Sequence, residues 1–341
     1  MRKLNRVLQV IILVIILSIV LNGCKVNSQE EVVIYTSVDQ IFAEDILEDF
    51  EDETGIKVKP IFDVEATKTV GLANRIISEK NKPQADVYWS GEFVMTILLA
   101  KEELLEPYAS PSAKDIPSIY KDPNNLWTGY AGRARIILVN TDLVKPEDYP
   151  NSIYDFLDTN RDPDKMAIAQ PMFGTTMTHA AALYACLGEK EGRTFFEKIK
   201  DRGVKVVEGN SVVRDMVVNG QIAFGLTDTD DACIAVKKGE PVAIIVPDQD
   251  NMGALVIPNT VALIKDGPNP EAGKMLMDYL LSEKMEKTLI EAGWSHIPVR
   301  PIDLRSVCMS TEEILPMHID FAKIYNYRDQ VNQDMTEIFV K

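Results

Sequence analysis

"EVVIYTSVDQIFAEDILEDFEDETGIKVKPIFD", residues 31–63, changes its hydrophobic period twice. "EVVIYTS" (31–37) is rich in β-branched residues and predicts a strand. Phe42, Ile46 and Phe50 then recur at spacing four with Leu47 beside them, which predicts an amphipathic helix. Ser37 with Gln40 forms a candidate capping box at its start, and Gly55 stops it. "IKVKPIFD" (56–63) is the next strand. A helix over "ATKTVGLANRIISEK" and a strand at "ADVYWSG" (85–91) complete β-α-β-α-β, the rhythm of a doubly wound parallel sheet.

The rhythm repeats further on. "EFVMTILLAKEELLEPY" is a helix closed by Pro107, and "YAGRARIILVNTDLV" (130–144) is one long strand. Strands follow at "KMAIAQP" (165–171), "GVKVVEG" (203–209), "QIAFGLT" (221–227) and "VAIIVP" (242–247). The helices between them are "GTTMTHAAALYACLG", entered at Gly174 and left at Gly188, and "SVVRDMVVNG". "GALVIPNTVALI" (253–264) is a second long strand, interrupted by Pro258. "NPEAGKMLMDYLLSEKMEKTLIEAG" is helical, with Asn269 and Pro270 as cap and first turn. Two α/β units joined by two long crossing strands predict a hinged pair of lobes, 31–133 with 260–304 and 134–259. The C-terminal helices, 305–341, are assigned to neither lobe. Ligands of open α/β sheets sit at the carboxyl ends of the strands, which here face the cleft.

The chain has 341 residues, enough for two cores, with 46% hydrophobic residues and a net charge of −16. Arg2, Lys3 and Arg6 precede an aliphatic run from Val10 to Leu21 and then "LNGC". Residues 1–24 thus read as a secretory signal, with an uncleaved membrane anchor as the alternative, and 25–30 as a tether. Loss of the signal removes three positive charges, leaving about −19. Such a surface disfavours nucleic acid and anionic lipid. Cys186, Cys233 and Cys308 are odd in number and show no C-x-x-C, so they read as small buried thiols rather than a disulfide framework or a zinc site. His179, His296 and His318 show no metal-pair spacing, and no cofactor is called for.

Several stretches carry candidate binding chemistry. Thr36 and Ser37 sit where a strand ends and a helix begins, and Thr175 and Thr176 repeat that arrangement in the other lobe. Hydroxyls and free backbone N–H groups there cradle an anion, or act as plain caps. His179, one turn in, reads as packing or a helix-face donor. Asn210 and Ser211 open a third helix, and Arg214 faces an anion or pairs with Asp215 or Asp228. Trp89, Ser90 and Glu92 end the third strand, with Trp89 either at a cleft edge or in the core. Arg133 and Arg135 alternate onto one face as candidate hinge ion pairs. "GLTDTDDA" (225–232) places Asp228, Asp230 and Asp231 within four positions. One caps the following helix, most naturally Asp230 or Asp231, and a remaining carboxylate wants a cation.

In order, "VVIYTSVDQ", "ADVYWSGE", "GYAGRARIILVNT", "NSVVRDMVVNGQIAFGLTDTDDA", "GALVIPNTVALI" and "AGWSHIPVRP" span about residues 31–301. This set resembles the periplasmic solute-binding proteins of ABC importers, in their ferric-iron-type branch. "LNGC" resembles a bacterial lipobox, which implies lipidation at Cys24 and attachment to the membrane. The resemblance implies a two-lobed periplasmic-binding-protein fold, a small charged solute as ligand, and ABC permease and ATPase subunits as partners. Classical ferric binders have two adjacent tyrosines after the strand that here reads "QIAFGLT"; this chain has Thr227 to Asp231 instead, and no early His or Glu ligand is evident. The same branch includes members similar to binders of 2-aminoethylphosphonate and of sugar phosphates. Hydroxyl-lined helix ends for an anion and an aspartate for a cation suit an aminoalkylphosphonate; a phosphorylated sugar and a ferric complex stay open.

Enzyme readings are weaker. A strand followed by D-x-D resembles a glycosyltransferase metal site, but nucleotide sugars are scarce outside the cell. Paired carboxylates would serve a glycosidase, yet sugar-stacking aromatics are few: Trp89, Trp127 and Trp294. In "DQDNMG" (248–253), Met252 stands where a calcium ligand belongs. A structural or adhesive lipoprotein is the third class.

Overall fold

The computed structural model describes residues 30–62, 70–172, 174–302, 304, 308 and 314–341. The expected signal, Cys24 and all of the tether but Glu30 lie outside these residues. Ten strands and ten α-helices are described.

The first half opens with β1 (Glu31–Thr36), α1 (Gln40–Thr54), β2 (Lys57–Phe62), α2 (Val70–Ser78), β3 (Val87–Ser90), α3 (Val94–Lys101) and the short β4 (Leu105–Glu106). Ala43, Ile46, Leu47 and Phe50 are the buried face of α1, as the spacing requires, and Gly55 closes it in the left-handed region at φ 73°. The capping box does not form. Asp39 occupies the N-cap without a side-chain bond, and Ser37 is used elsewhere.

The first long strand, β5, runs from Thr128 to Asn140. Beyond it come β6 (Met166–Ala169), α4 (Gly174–Leu187), α5 (Glu189–Arg202), β7 (Lys205–Val207), α6 (Asn210–Val218), β8 (Phe224–Asp228), α7 (Thr229–Lys237) and β9 (Val242–Ile245). The second long strand, β10 (Val256–Ile264), returns the chain to the first half, followed by α8 (Pro270–Leu280), α9 (Glu283–Ala292) and α10 (Phe321–Phe339). Within the helical stretch after Asn269 the chain breaks at Leu281, because the Ser282 hydroxyl accepts the Met285 N–H and starts a new helix.

The strand order is β2-β1-β3-β10-β5-β8-β6-β7, with β4 on β10 and β9 on β5. β1 pairs parallel with β2 and β3, and β6 parallel with β7 and β8. The crossing strands β5 and β10 run antiparallel to each other and to their neighbours. Each half is therefore an α/β sheet, and β5 belongs to both. Both crossing strands are irregular at the same level. The β5/β10 register shifts between Pro258 and Asn259, while Ala131 has φ 44°. The Asn259 amide donates to the Ala131 carbonyl and to Ser295 Oγ, tying the two irregularities together.

The C-terminal helix spans the division. Phe321 stacks on Phe93 of the first half at 4.3 Å, and Asp334 accepts hydrogen bonds from Tyr184 and Arg193 of the second. The cysteines depart from expectation. Cys233 and Cys308 form a disulfide across 75 residues of sequence, and Cys186 is free and exposed. An odd count excludes pairing of all three, not of two.

Candidate functional site

The carboxyl ends of β1 and β3 meet the N-termini of α4 and α7 around a cavity of about 290 Å³. Ser37, Gly91 and Glu92 line it from the first half, Thr175, Thr178 and Asp230 from the second, and Arg133 and Trp294 from the level of the crossing strands. Strand ends converge because parallel strands all point their carboxyl ends the same way, and each helix begins just beyond.

The first-half wall is built by hydroxyls that hold backbone. Ser37 Oγ accepts the Gly91 N–H at 3.0 Å and lies 3.4 Å from Ser90 Oγ. Ser90 Oγ in turn accepts the Glu92 N–H at 3.3 Å, and Thr36 Oγ1 accepts the Val38 N–H at 3.0 Å. Gly91 leaves room for Trp294, whose ring would stand 3.3 Å from a Cβ there. The Glu92 carboxylate takes the N–H groups of Val94 and Met95 at the mouth of α3. Burial nevertheless raises its pKa, and those two amides and Arg133 offset part of the rise.

In the second half, Gly174 starts α4 at φ 53°. Its Cβ position is open, so the glycine serves the left-handed turn and not a close approach. Each of the three aspartates of "DTDD" meets one arginine. Arg135 Nη1 lies 2.7 Å from Asp228 Oδ1, Arg133 Nη1 3.1 Å from Asp230 Oδ2, and Arg214 Nη1 2.9 Å from Asp231 Oδ1. The cations that the carboxylates require are thus supplied largely by the chain itself.

The Asp228 pair is fully buried and densely bonded. Thr175 Oγ1 donates to Asp228 Oδ2 at 2.5 Å, and Asn210 Nδ2 donates to the same oxygen at 2.9 Å. Arg135 Nη1 also reaches Asn210 Oδ1 at 3.0 Å, and Thr176 Oγ1 donates there at 3.3 Å. Beside them His179 is buried, and burial followed by the Arg135 charge lowers its pKa to about 3. Asp228 occupies the N-cap of α7 with no side-chain cap bond, and Asp230 and Asp231 form the first turn. The expected capping by Asp230 or Asp231 is replaced by arginine pairing.

Asp231 is pushed up to about 7, first by burial and then by Asp230 and Asp228, against the pull of Arg214 and Arg133. Asp230 differs from both neighbours. Its second oxygen, Oδ1, is buried with no hydrogen-bond partner among the described residues, and Asp230 lines the cavity. Arg133 also gives Nη2 to the Gly91 carbonyl at 2.8 Å and lies over the Trp294 ring at 5.5 Å. It therefore joins the two halves across the cavity. The Trp294 indole N–H donates to Asn259 Oδ1 at 2.8 Å, which links the cavity wall to the irregular level of the crossing strands.

Among the residues singled out in the sequence, Ser37, Glu92, Arg133, Thr175 and Asp230 line the cavity. Ser90, Thr36, Thr176 and Asp228 stand behind its walls in the bonds described above. Asp231 points to Arg214. Trp89 is fully buried within β3, where it pairs in register with Val261, so it takes the core position. Ser211 is exposed on α6, one residue after the Asn210 side chain that joins the network. Asp39, Thr178, Met95 and Met177 line the cavity without having been singled out. Thr178 alone had a signal, one helical turn after Gly174. Among the described residues no group of three or more His, Cys, Asp or Glu side chains is arranged to hold a metal.

Residues 31–295 match the family described as bacterial extracellular solute-binding protein, and the chain belongs to it. It is 24% identical over 282 residues to the iron uptake protein A1 of Synechocystis, covering 79% of this chain and 76% of that one. It is 27% identical over 236 residues to a Salmonella typhimurium periplasmic protein named for 2-aminoethylphosphonate binding, covering 67% and 66%. Its fold is similar to that of the periplasmic binding protein AfuA from Actinobacillus pleuropneumoniae, with fructose-6-phosphate bound, at a TM-score of 0.75 and 22% identity over 92% of this chain and 99% of that one.

Proposed function

We propose that the protein is the lipid-anchored extracytoplasmic subunit of an ABC importer, and that it captures a small phosphonate or phosphorylated solute by closing its two halves. It passes the solute to a permease and ATPase pair and performs no chemistry on it. We place the lobes at 31–133 with 260–304 and at 134–259, and lipid attachment at Cys24.

The observation that carries the ligand class is the mixed charge of one small cavity. Arg133, with an Nε that makes no hydrogen bond among the described residues, and the hydroxyl of Ser37, which accepts the Gly91 N–H and keeps its own proton to donate, suit a phosphoryl or phosphonyl group. Asp230 Oδ1 is left to accept from an ammonium or a sugar hydroxyl. A ferric reading is supported by the iron-binding relatives. It is weakened by the donor set: Glu92 is committed to backbone amides, Asp230 to Arg133, and no tyrosine lines the cavity among the described residues.

Thermal shift separates the readings. We expect 2-aminoethylphosphonate or fructose-6-phosphate to raise the melting temperature, because a ligand that binds only the folded state stabilises it by mass action. A rise with ferric citrate, absent with citrate alone and with both phosphorus compounds, favours iron and rejects the phosphorus reading.

A further inference from the structure

The lining of the cavity divides into two unlike parts. One part keeps hydrogen-bonding capacity: Arg133 Nε and Asp230 Oδ1 make no hydrogen bond among the described residues, and Ser37 has a proton to donate. The other part is hydrocarbon and sulfur. Val94 and Met95 at the mouth of α3, Met177 on α4 and the Trp294 ring all line the cavity. Val94, Met95 and Trp294 are buried, and Met177 is half-buried. The polar groups beside them are committed within the chain. The Thr175 hydroxyl donates to Asp228, and the Thr178 hydroxyl to the Gly174 carbonyl at 3.3 Å. The Glu92 carboxylate takes the amides of Val94 and Met95, and the Trp294 indole N–H is on Asn259. A hydroxyl laid on this surface would leave water and find no partner, whereas a methylene group gains by leaving water. Methionine side chains adapt to irregular hydrocarbon shapes.

We infer that the ligand carries an apolar arm. A head with phosphonate and ammonium is held by Arg133, Ser37 and Asp230, and an alkyl or aryl arm lies on Val94, Met95, Met177 and Trp294. Asp39 and Asp230 against the guanidinium of Arg133 favour an ammonium beside the anion. Size agrees with an arm. The cavity of about 290 Å³ equals roughly ten waters at about 30 Å³ each. 2-Aminoethylphosphonate, whose apolar part is a short link between its charges, leaves the methionines uncovered. Fructose-6-phosphate would turn hydroxyls toward them. Met95 and Met177 thus set specificity for the arm.

This inference rests on the reading of a phosphorus-containing ligand, and its test separates the two. Calorimetry on the full chain uses the 1-aminoalkylphosphonates from aminomethyl to 1-aminopentyl, in which the head is constant and only the arm grows. The α-amino acids with the same arms, glycine to norleucine, run beside them. Kd should fall about fourfold for each methylene added to the phosphonate. Met177→Ser should flatten that dependence, and Met177→Leu should keep it, which separates loss of apolar surface from loss of fold. A Kd that stays level or rises along the phosphonate series overturns the inference, while binding of aminomethylphosphonate leaves the phosphorus reading standing. A gain along the amino acids with no phosphonate bound keeps the apolar arm and rejects the phosphorus head. Failure of both series to bind overturns the inference, and so does an undiminished dependence in Met177→Ser.

Discussion

Arg133, Arg135 and Arg214 divide the aspartates of 228–231 among them, and the three pairs differ in environment. Removing one partner of the buried Arg135–Asp228 pair strands a charge that burial has cut off from water. Asp228→Ala is therefore expected to cost about 3–5 kcal/mol, read from urea unfolding, even without ligand. Asp230 keeps partial exposure, lines the cavity and has one oxygen without a partner among the described residues, so Asp230→Asn should leave unfolding within about 1 kcal/mol of wild type and abolish the ligand-induced thermal shift. Reversal of those two outcomes would exchange their roles. Asp231 adds a pH dependence. Its folded pKa of about 7 lies above the ordinary carboxylate value, so between roughly pH 4 and pH 7 the unfolded chain releases a proton that the folded one keeps. This group's contribution to stability therefore falls as pH rises through that window, and Asp231→Asn should flatten the slope in melting temperature measured from pH 4.5 to 7.5. These pairings were not legible in the sequence. Arg133 and Arg135 alternate onto one face, but which carboxylate each meets depends on β8 lying beside β5, a contact between residues some ninety positions apart.

At the level of elements, local period was enough wherever a helix or strand buries one face. β1, α1 and β2 fall where residues 31–63 place them, because spacing four and β-branched runs report burial directly. The helix α5 escaped notice because "EKEGRTFFEKIKDR" is dominated by charge; its buried face is only Gly192, Phe195, Phe196 and Ile199. The disulfide escaped because counting cysteines says nothing about which two approach. Close packing between elements also leaves a readable mark. Gly225 in β8 lies under α6, where a Cβ would collide with Val213 and stand 3.0 Å from the Ala167 carbonyl. Gly225→Ala should cost about 1–3 kcal/mol through overpacking, read as a lower urea midpoint with an unchanged slope. A neutral result would mean that α6 can lift away from the sheet.

On the scale of the whole molecule, two α/β units and their two crossing strands were readable from the order of periodic segments, since a chain must return to complete the first sheet. The cavity was readable only in part: strand ends and helix mouths predicted Ser37 and Thr175, while Arg133 and Trp294 reach the wall through the crossing strands and the segment after α9. Burial also shapes the response to acid. His179 is held at about 3 and His296 at about 4, both chiefly by burial, against about 6.5 when unfolded. Below about pH 6.5 the unfolded chain takes up protons that the folded chain refuses, so stability is lost as pH falls, and His296→Gln should reduce that loss in a series of melting curves. The most direct measurement is native mass spectrometry of the freshly purified chain, read with elemental analysis, beside Asp230→Ala. The account predicts one small phosphorus-containing solute bound to wild type and absent from the variant. Stoichiometric iron without phosphorus, or a solute that the variant retains in full, would contradict it.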